Sequence, residues 1–365
     1  MSAASRVNLA TLLFFTANGI AIVAIPPYLR DLGVMDEFVI GSIVSTAFFV
    51  SIVLRPLSGL LGDRLGYSKV LKAGLLFAVV AQVLYLLHSP TWVQVGRVFH
   101  GMAIATFLPM SIATSVAEGA RAMASRSLAV GIGNILGPLL GSAIYDWGGA
   151  SFSFFVATGI HLINFLFVRG LGSNSSGGSV RQPAVLEKRL FLFMALLTIY
   201  AMTYMSLSTF IPVRLKDLGL PITYWGLFSS VGAVASLVPR AFLLRYNWVN
   251  PLTAALATGA TLLGLYAVTF AEDPVAFALA GAVYGLGQGA VVVTYQILAL
   301  AGSKRAGLAS SIYTMGWDLG SITGPLIGGF LVESVGYSAL HVLPLTLLIN
   351  VAVLATYAAI RRAAA

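Results

Sequence analysis

Cysteine is absent from all 365 residues, which excludes disulfides and any thiolate chemistry. Charge is scarce as well: Asp, Glu, Lys and Arg together make up 9% of the chain, against 58% hydrophobic residues. There are 4 histidines and none sits in a cluster with metal-ligand spacing, so no metal site is expected. No G-x-x-x-x-G-K-[ST] loop occurs, and the polar stretches are too short to form a domain that hydrolyses a nucleotide. An enzyme is therefore not expected, and neither is a cofactor.

What the chain has in abundance is long apolar runs. No water-soluble core could bury this much apolar surface, and the bilayer is the expected solvent. The runs place spans near 7–29, 38–61, 69–88, 91–117, 125–146 and 150–169, then near 190–213, 222–246, 249–271, 274–301, 306–332 and 336–360. The expected fold is an all-α membrane protein with twelve transmembrane helices. The first run follows Arg6, extends for about 23 residues and lacks a small-residue cleavage site, so it reads as a retained helix and not a signal peptide.

Between the two sets lies GLGSNSSGGSVRQPAVLEKR, Gly170 to Arg189, whose Gly, Ser and Asn content suits a flexible linker. The chain thus divides into bundles at 1–169 and 190–365 joined by a linker at 170–189. The bundles repeat each other. IPPYLRDLG at Ile25 to Gly33 matches IPVRLKDLG at Ile211 to Gly219, 186 residues later, and GNILGPLLG at Gly133 to Gly141 matches GSITGPLIG at Gly320 to Gly328. Basic residues cluster at alternate connections, including Arg6, Arg64, Lys69, Lys72, Arg121, Arg126, Arg169, Lys188 and Arg189. Most acids, including Asp31, Asp36, Glu37, Asp146, Asp217 and Glu333, fall at the opposite ones. By the positive-inside rule both termini are cytoplasmic, and the net charge of +9 reflects topology in a plasma membrane and not nucleic-acid binding.

GLLGDRLGYSK, Gly59 to Lys69, carries a glycine, an Asp-Arg pair four residues on, another glycine and a following base. With Gly59, Gly62, Asp63, Arg64, Gly66 and Lys69, the stretch resembles the loop signature of the major facilitator superfamily of membrane transporters. Tyr67 and Ser68 stand where that family usually has basic residues. GRVFHG around Arg97 resembles the family's fourth-helix arginine motif, with His100 in place of its glutamine. Gly133, Gly137 and Pro138, repeated as Gly320, Gly324 and Pro325, resemble its fifth-helix glycine-proline motif, in which small residues allow close approach and proline bends the helix. The resemblance covers essentially the whole chain. It implies two pseudo-symmetric six-helix bundles with the substrate site between them near the midplane. It also implies that Asp63 closes the cytoplasmic side by meeting the N-terminus of the helix that begins near Ala306, a latch the second half has lost.

Ionisable residues inside apolar runs are costly and mark function or close pairing. Asp318, about twelve residues into the eleventh span, suits a proton carrier, a partner for a cationic solute, or a packing contact. With Arg97 and His100 it makes the expected proton-coupling set. Asn18, Asn134, Tyr200, Tyr204, Tyr284, Gln288 and Trp317 are the candidate lining of a substrate cavity, where amides and aromatic faces suit a partly apolar solute. Arg55 and Arg240 read as snorkelling anchors or gate contacts, and His161 and His341 as structural. The expected activity is secondary transport by alternating access, with proton-coupled efflux of small amphipathic or lipophilic compounds by a monomer. A sugar or organic-acid carrier, a lipid flippase and a non-transporting receptor are the alternatives.

Overall fold

The structure, a computed structural model, describes residues 3–169, 171, 188–246, 248–301 and 306–363. Most of the expected linker, residue 170 and residues 172–187, lies outside these. Among the described residues the chain is helical throughout and has no strand. The helices are α1 (Ala3–Asp31), α2 (Glu37–Leu65), α3 (Tyr67–Tyr85), α4 (Pro90–Ala117), α5 (Ala120–Val168), α6 (Lys188–Asp217), α7 (Thr223–Ala235), α8 (Leu237–Tyr246), α9 (Pro251–Val268), α10 (Pro274–Leu300), α11 (Ala306–Val335), α12 (Ala339–Val342) and α13 (Leu347–Ala363). Among the described residues, ten helical stretches are long and apolar enough to cross a membrane.

Local chemistry sets the ends. Asn250 accepts from the Thr253 N–H at 2.9 Å and Asp273 from those of Val275 and Ala276, each ahead of a proline that opens the helix without leaving a donor unpaired. Gly66, at φ 91°, separates α2 from α3 in a conformation that costs other residues more.

Three expected elements differ in detail. The span expected at 222–246 is interrupted at Ser236, because Pro239 cannot donate to the carbonyl of residue 235 while the Ser236 hydroxyl donates to the Ala233 carbonyl at 2.7 Å. The spans expected at 125–146 and 150–169 join as α5, broken only at Gly149, where φ is 74°. The last expected span, 336–360, opens with a 3-10 turn after Gly336, φ 73°, and passes through a second around Pro344 before α13.

The chain forms two compact units. One comprises Met1–Met35, Ser42–Val180 and Gly219–Gly226; the other comprises Asp36–Gly41, Arg181–Leu218 and Leu227–Ala365. In the first, α1 lies against α5 along a row of small residues. A side chain on Gly133 would meet Phe15, and one on Gly137 or Gly141 would meet the backbone of Gly19 or Ile20. In the second, Gly316, Gly320 and Gly324 of α11 bring it equally close to Met194, Thr198 and Met202 of α6. The backbone stays helical through Pro138 and Pro325, so the motif glycines act here by close approach.

Each unit also carries the same buried anchor. Asn164 donates its amide to the Ala10 carbonyl and Asn350 to the Leu196 carbonyl, both at 2.8 Å. These pairs stand 186 residues apart in the two repeats.

Candidate functional site

The second unit holds an aromatic cluster built from four helices. Gly281, Gly285 and Gly287 line α10 around Tyr284. Side chains at the first two would strike the backbone of Phe228 and Gly232 on α7, and at the third that of Thr261 on α9. Gly264 of α9 admits Tyr284 in the same way. With neighbours this close, the Tyr284 ring has one place to go. It stacks on Tyr204 of α6 with centroids 5.6 Å apart and 9° between planes, and packs on Phe228 at 5.1 Å. Its hydroxyl shares a 3.1 Å hydrogen bond with that of Tyr200. Trp317 of α11 lies 6.2 Å from both Tyr200 and Tyr204.

The sequence candidates Tyr200, Tyr204, Tyr284 and Trp317 are therefore neighbours, and Gln288, one turn beyond Tyr284, accepts from the Arg240 guanidinium at 3.4 Å. Arg240 is close enough to Tyr200 and Tyr284 for its charge to act on both phenols. Asp318, next to Trp317, is buried at 6% exposure. Faces of π density, three phenols, a guanidinium and an amide thus gather in one unit. Such a set can bind a flat apolar body and orient a polar group on it. Phe228 belongs to the cluster but carried no signal in the sequence, where it is one apolar residue in an apolar run.

A different arrangement occupies the first unit. Arg97 of α4 is 2% exposed and turned inward, so it does not snorkel. Its guanidinium donates to the carbonyls of Ile43, at 3.3 Å, and Val44 on α2. Its third contact, at 3.3 Å, is the Nδ1 of His100. The opposite ring nitrogen of His100 faces the amide oxygen of Asn18 on α1. That oxygen accepts only, so Nε2 carries the hydrogen and Nδ1 is left to accept from Arg97 and from the Tyr85 hydroxyl at 3.0 Å. These partners fix the tautomer. Arg97, His100 and Asn18 were sequence candidates; Tyr85, at the end of α3, was not.

Asn134 is exposed on α5. Arg55 reaches Ser51 at 3.4 Å. His161 is buried edge-on to Phe14, and His341 bonds Thr269 at 2.8 Å and stacks on Phe270. In the charged loop, Asp63, Arg64 and Lys69 are exposed, and a side chain on Gly62 would run into Met110, whereas Gly59 borders open space. The two departures from the family pattern have uses of their own. Tyr67 donates to Asp63 at 3.4 Å, and Ser68 donates to the Leu171 carbonyl at 2.9 Å, tying the loop to the end of α5. Among the described residues no group of acids and histidines could hold a metal ion.

The model of the Major Facilitator Superfamily matches residues 7–320 and 251–364. The chain belongs to this superfamily. It is a multi-pass membrane transporter and not an enzyme, and it handles small molecules. It is 27% identical over 349 residues to the multidrug resistance protein MdtG of Enterobacter lignolyticus, covering 86% of this chain and 82% of that protein. Identity to the staphylopine export protein of Staphylococcus aureus is also 27%, over 260 residues that span 66% of this chain and 65% of the relative. The nucleoside transporter NupG shares the fold, with a TM-score of 0.78 at 15% identity and 98% of each chain covered.

Proposed function

We propose that this chain is a proton-coupled exporter of small amphipathic or lipophilic compounds, working as a monomer with twelve spans and both termini cytoplasmic. Alternation of the 1–169 and 190–365 halves moves the solute. The aromatic cluster of Tyr200, Tyr204, Tyr284 and Trp317, beside Asp318, carries this reading. The rings take the apolar body, and the carboxylate binds either a proton or the solute's positive group, so that each displaces the other. Relatives named as a multidrug resistance protein and as an exporter support the direction.

Twelve spans fit the geometry of the two longest stretches. At 1.5 Å per residue, the 49 residues of α5 extend about 70 Å, more than twice the ~30 Å hydrocarbon core. Gly149 and Gly336 each have a positive φ, which supports reading Arg121–Val168 and Ile312–Ile360 as two crossings apiece. In the first half, Arg97 supplies a fixed positive centre. Protonating His100 at Nδ1 would set two cations about 3.3 Å apart, so a proton arriving there displaces Arg97 from the ring and turns the Tyr85 hydroxyl from donor to acceptor, while the Nε2–H bond to Asn18 persists. Asp63 is read as the cytoplasmic latch, the role that the loop signature of the superfamily implies.

Substrate-stimulated proton movement in proteoliposomes tests the proposal, with a panel of lipophilic cations, sugars and organic acids. Proton flux is expected with the lipophilic cations, and Asp318→Asn abolishes it while leaving solute binding intact. Solute flux without proton movement, unchanged in the variant, overturns both the coupling and the role of Asp318. A second reading, an organic-acid carrier, is favoured by Arg240 beside Gln288 and the two phenols; flux confined to the acids would select it.

A further inference from the structure

Arg126 is a buried cation without a counter-charge. It lies in the second turn of α5, 6% exposed, and its side chain turns to α4. Nε and one Nη donate to the Ser111 hydroxyl oxygen at 3.0 and 2.9 Å. That oxygen is neutral, and its own hydrogen goes to the Leu108 carbonyl at 2.8 Å. Among the described residues no opposite charge acts on the guanidinium. Glu118, the one acid between Ser111 and Arg126 in sequence, is exposed.

Arg97, equally buried, spends its N–H groups on two backbone carbonyls and a ring nitrogen. Arg126 uses two of its five N–H groups, both on one oxygen, and three have no acceptor among the described residues. Taking a guanidinium out of water is costly unless an opposite charge or several acceptors replace that water. An arginine this near a helix end could extend its head to the interface, yet this one is held inward. A second polar group on the facing helix is also unsatisfied. Ser115, one turn past Ser111 on the same face of α4, is 0% exposed, and its hydroxyl makes no hydrogen bond among the described residues.

We propose that Arg126 and Ser115 form a binding site for a phosphate group, contained within the first unit. The three N–H groups and the Ser115 hydroxyl are donors in search of acceptors. A carboxylate has two oxygens to meet them; a phosphate has four, and brings the negative charge that Arg126 lacks. The same chemistry comes from inorganic phosphate in water and from the headgroup of an anionic phospholipid in the leaflet beside the α4–α5 turn. The site shares no residue with the Arg97 network or with the aromatic cluster, so its ligand is additional to the proton and the solute. Once bound, the phosphate neutralises Arg126 and ties the start of α5 to the end of α4.

Thermal unfolding of the purified protein in a nonionic detergent tests this, with inorganic phosphate compared against chloride at equal ionic strength. Phosphate is expected to raise the midpoint of the parent, because a ligand of the folded state stabilises it. Phosphate affinity should fall by roughly tenfold or more in Arg126→Gln and by about threefold to tenfold in Ser115→Ala, as donors are lost. Without phosphate, Arg126→Gln should unfold no earlier than the parent, since it removes an uncompensated buried charge. A marked loss there makes Arg126 a packing residue and overturns the proposal. Short-chain phosphatidylglycerol that displaces phosphate, and that native mass spectrometry finds on the parent but not on Arg126→Gln, identifies a lipid headgroup as the ligand. Phosphate that this lipid does not displace identifies the free anion. Equal binding to the parent and both variants, or no binding of either probe to the parent, overturns the proposal; should Arg126→Gln fail to fold, Ser115→Ala carries the comparison.

Discussion

Asn164 and Asn350 do the same work in the two repeats, each donating a fully buried amide to a backbone carbonyl 154 positions away in sequence. Removing a donor from a buried carbonyl costs about 1–3 kcal/mol. Asn164→Leu and Asn350→Leu should each lower the thermal midpoint in detergent by several degrees; an unchanged midpoint in both would mean the anchors are dispensable. Arg97 should behave differently. Lysine cannot span two α2 carbonyls and the His100 ring as the planar guanidinium does. Arg97→Lys is therefore expected to reduce transport more than tenfold with little loss of thermal stability, whereas equal loss of both would make the arginine a packing residue. None of these partners could be read from the sequence. A lone polar residue in an apolar run announces a contact without naming its other end, which is why Arg97 and His100 were recognisable as candidates while Tyr85 was not.

At the scale of the helix, apolar run length located the helical segments well, because a membrane leaves a long apolar segment few alternatives to helix. Breaks were harder to place. Pro239 and Gly149 both lie in runs that remain apolar on either side, so hydropathy alone does not mark them. Glycine in a helix has two meanings here, and the structure separates them. Gly285 lies against the Gly232 backbone, so Gly285→Ala should destabilise the protein by roughly 1–3 kcal/mol through overpacking and displace Tyr284. Gly259 has open space around it, and Gly259→Ala should be neutral or stabilising by up to about 1 kcal/mol. Thermal unfolding of the two variants side by side checks this, and a similar loss in both would remove the distinction.

For the molecule as a whole, the repeat was plain in the sequence because matching segments lie at nearly the same offset, 186 and 187 residues.

The aromatic cluster draws on α6, α7, α10 and α11, and the Arg97 network on α1, α2, α3 and α4. The two sets share no helix. Selection for a new compound can therefore reshape the aromatic surface while the Arg97 and His100 network is inherited unaltered, provided that Asp318, one position from Trp317, is kept.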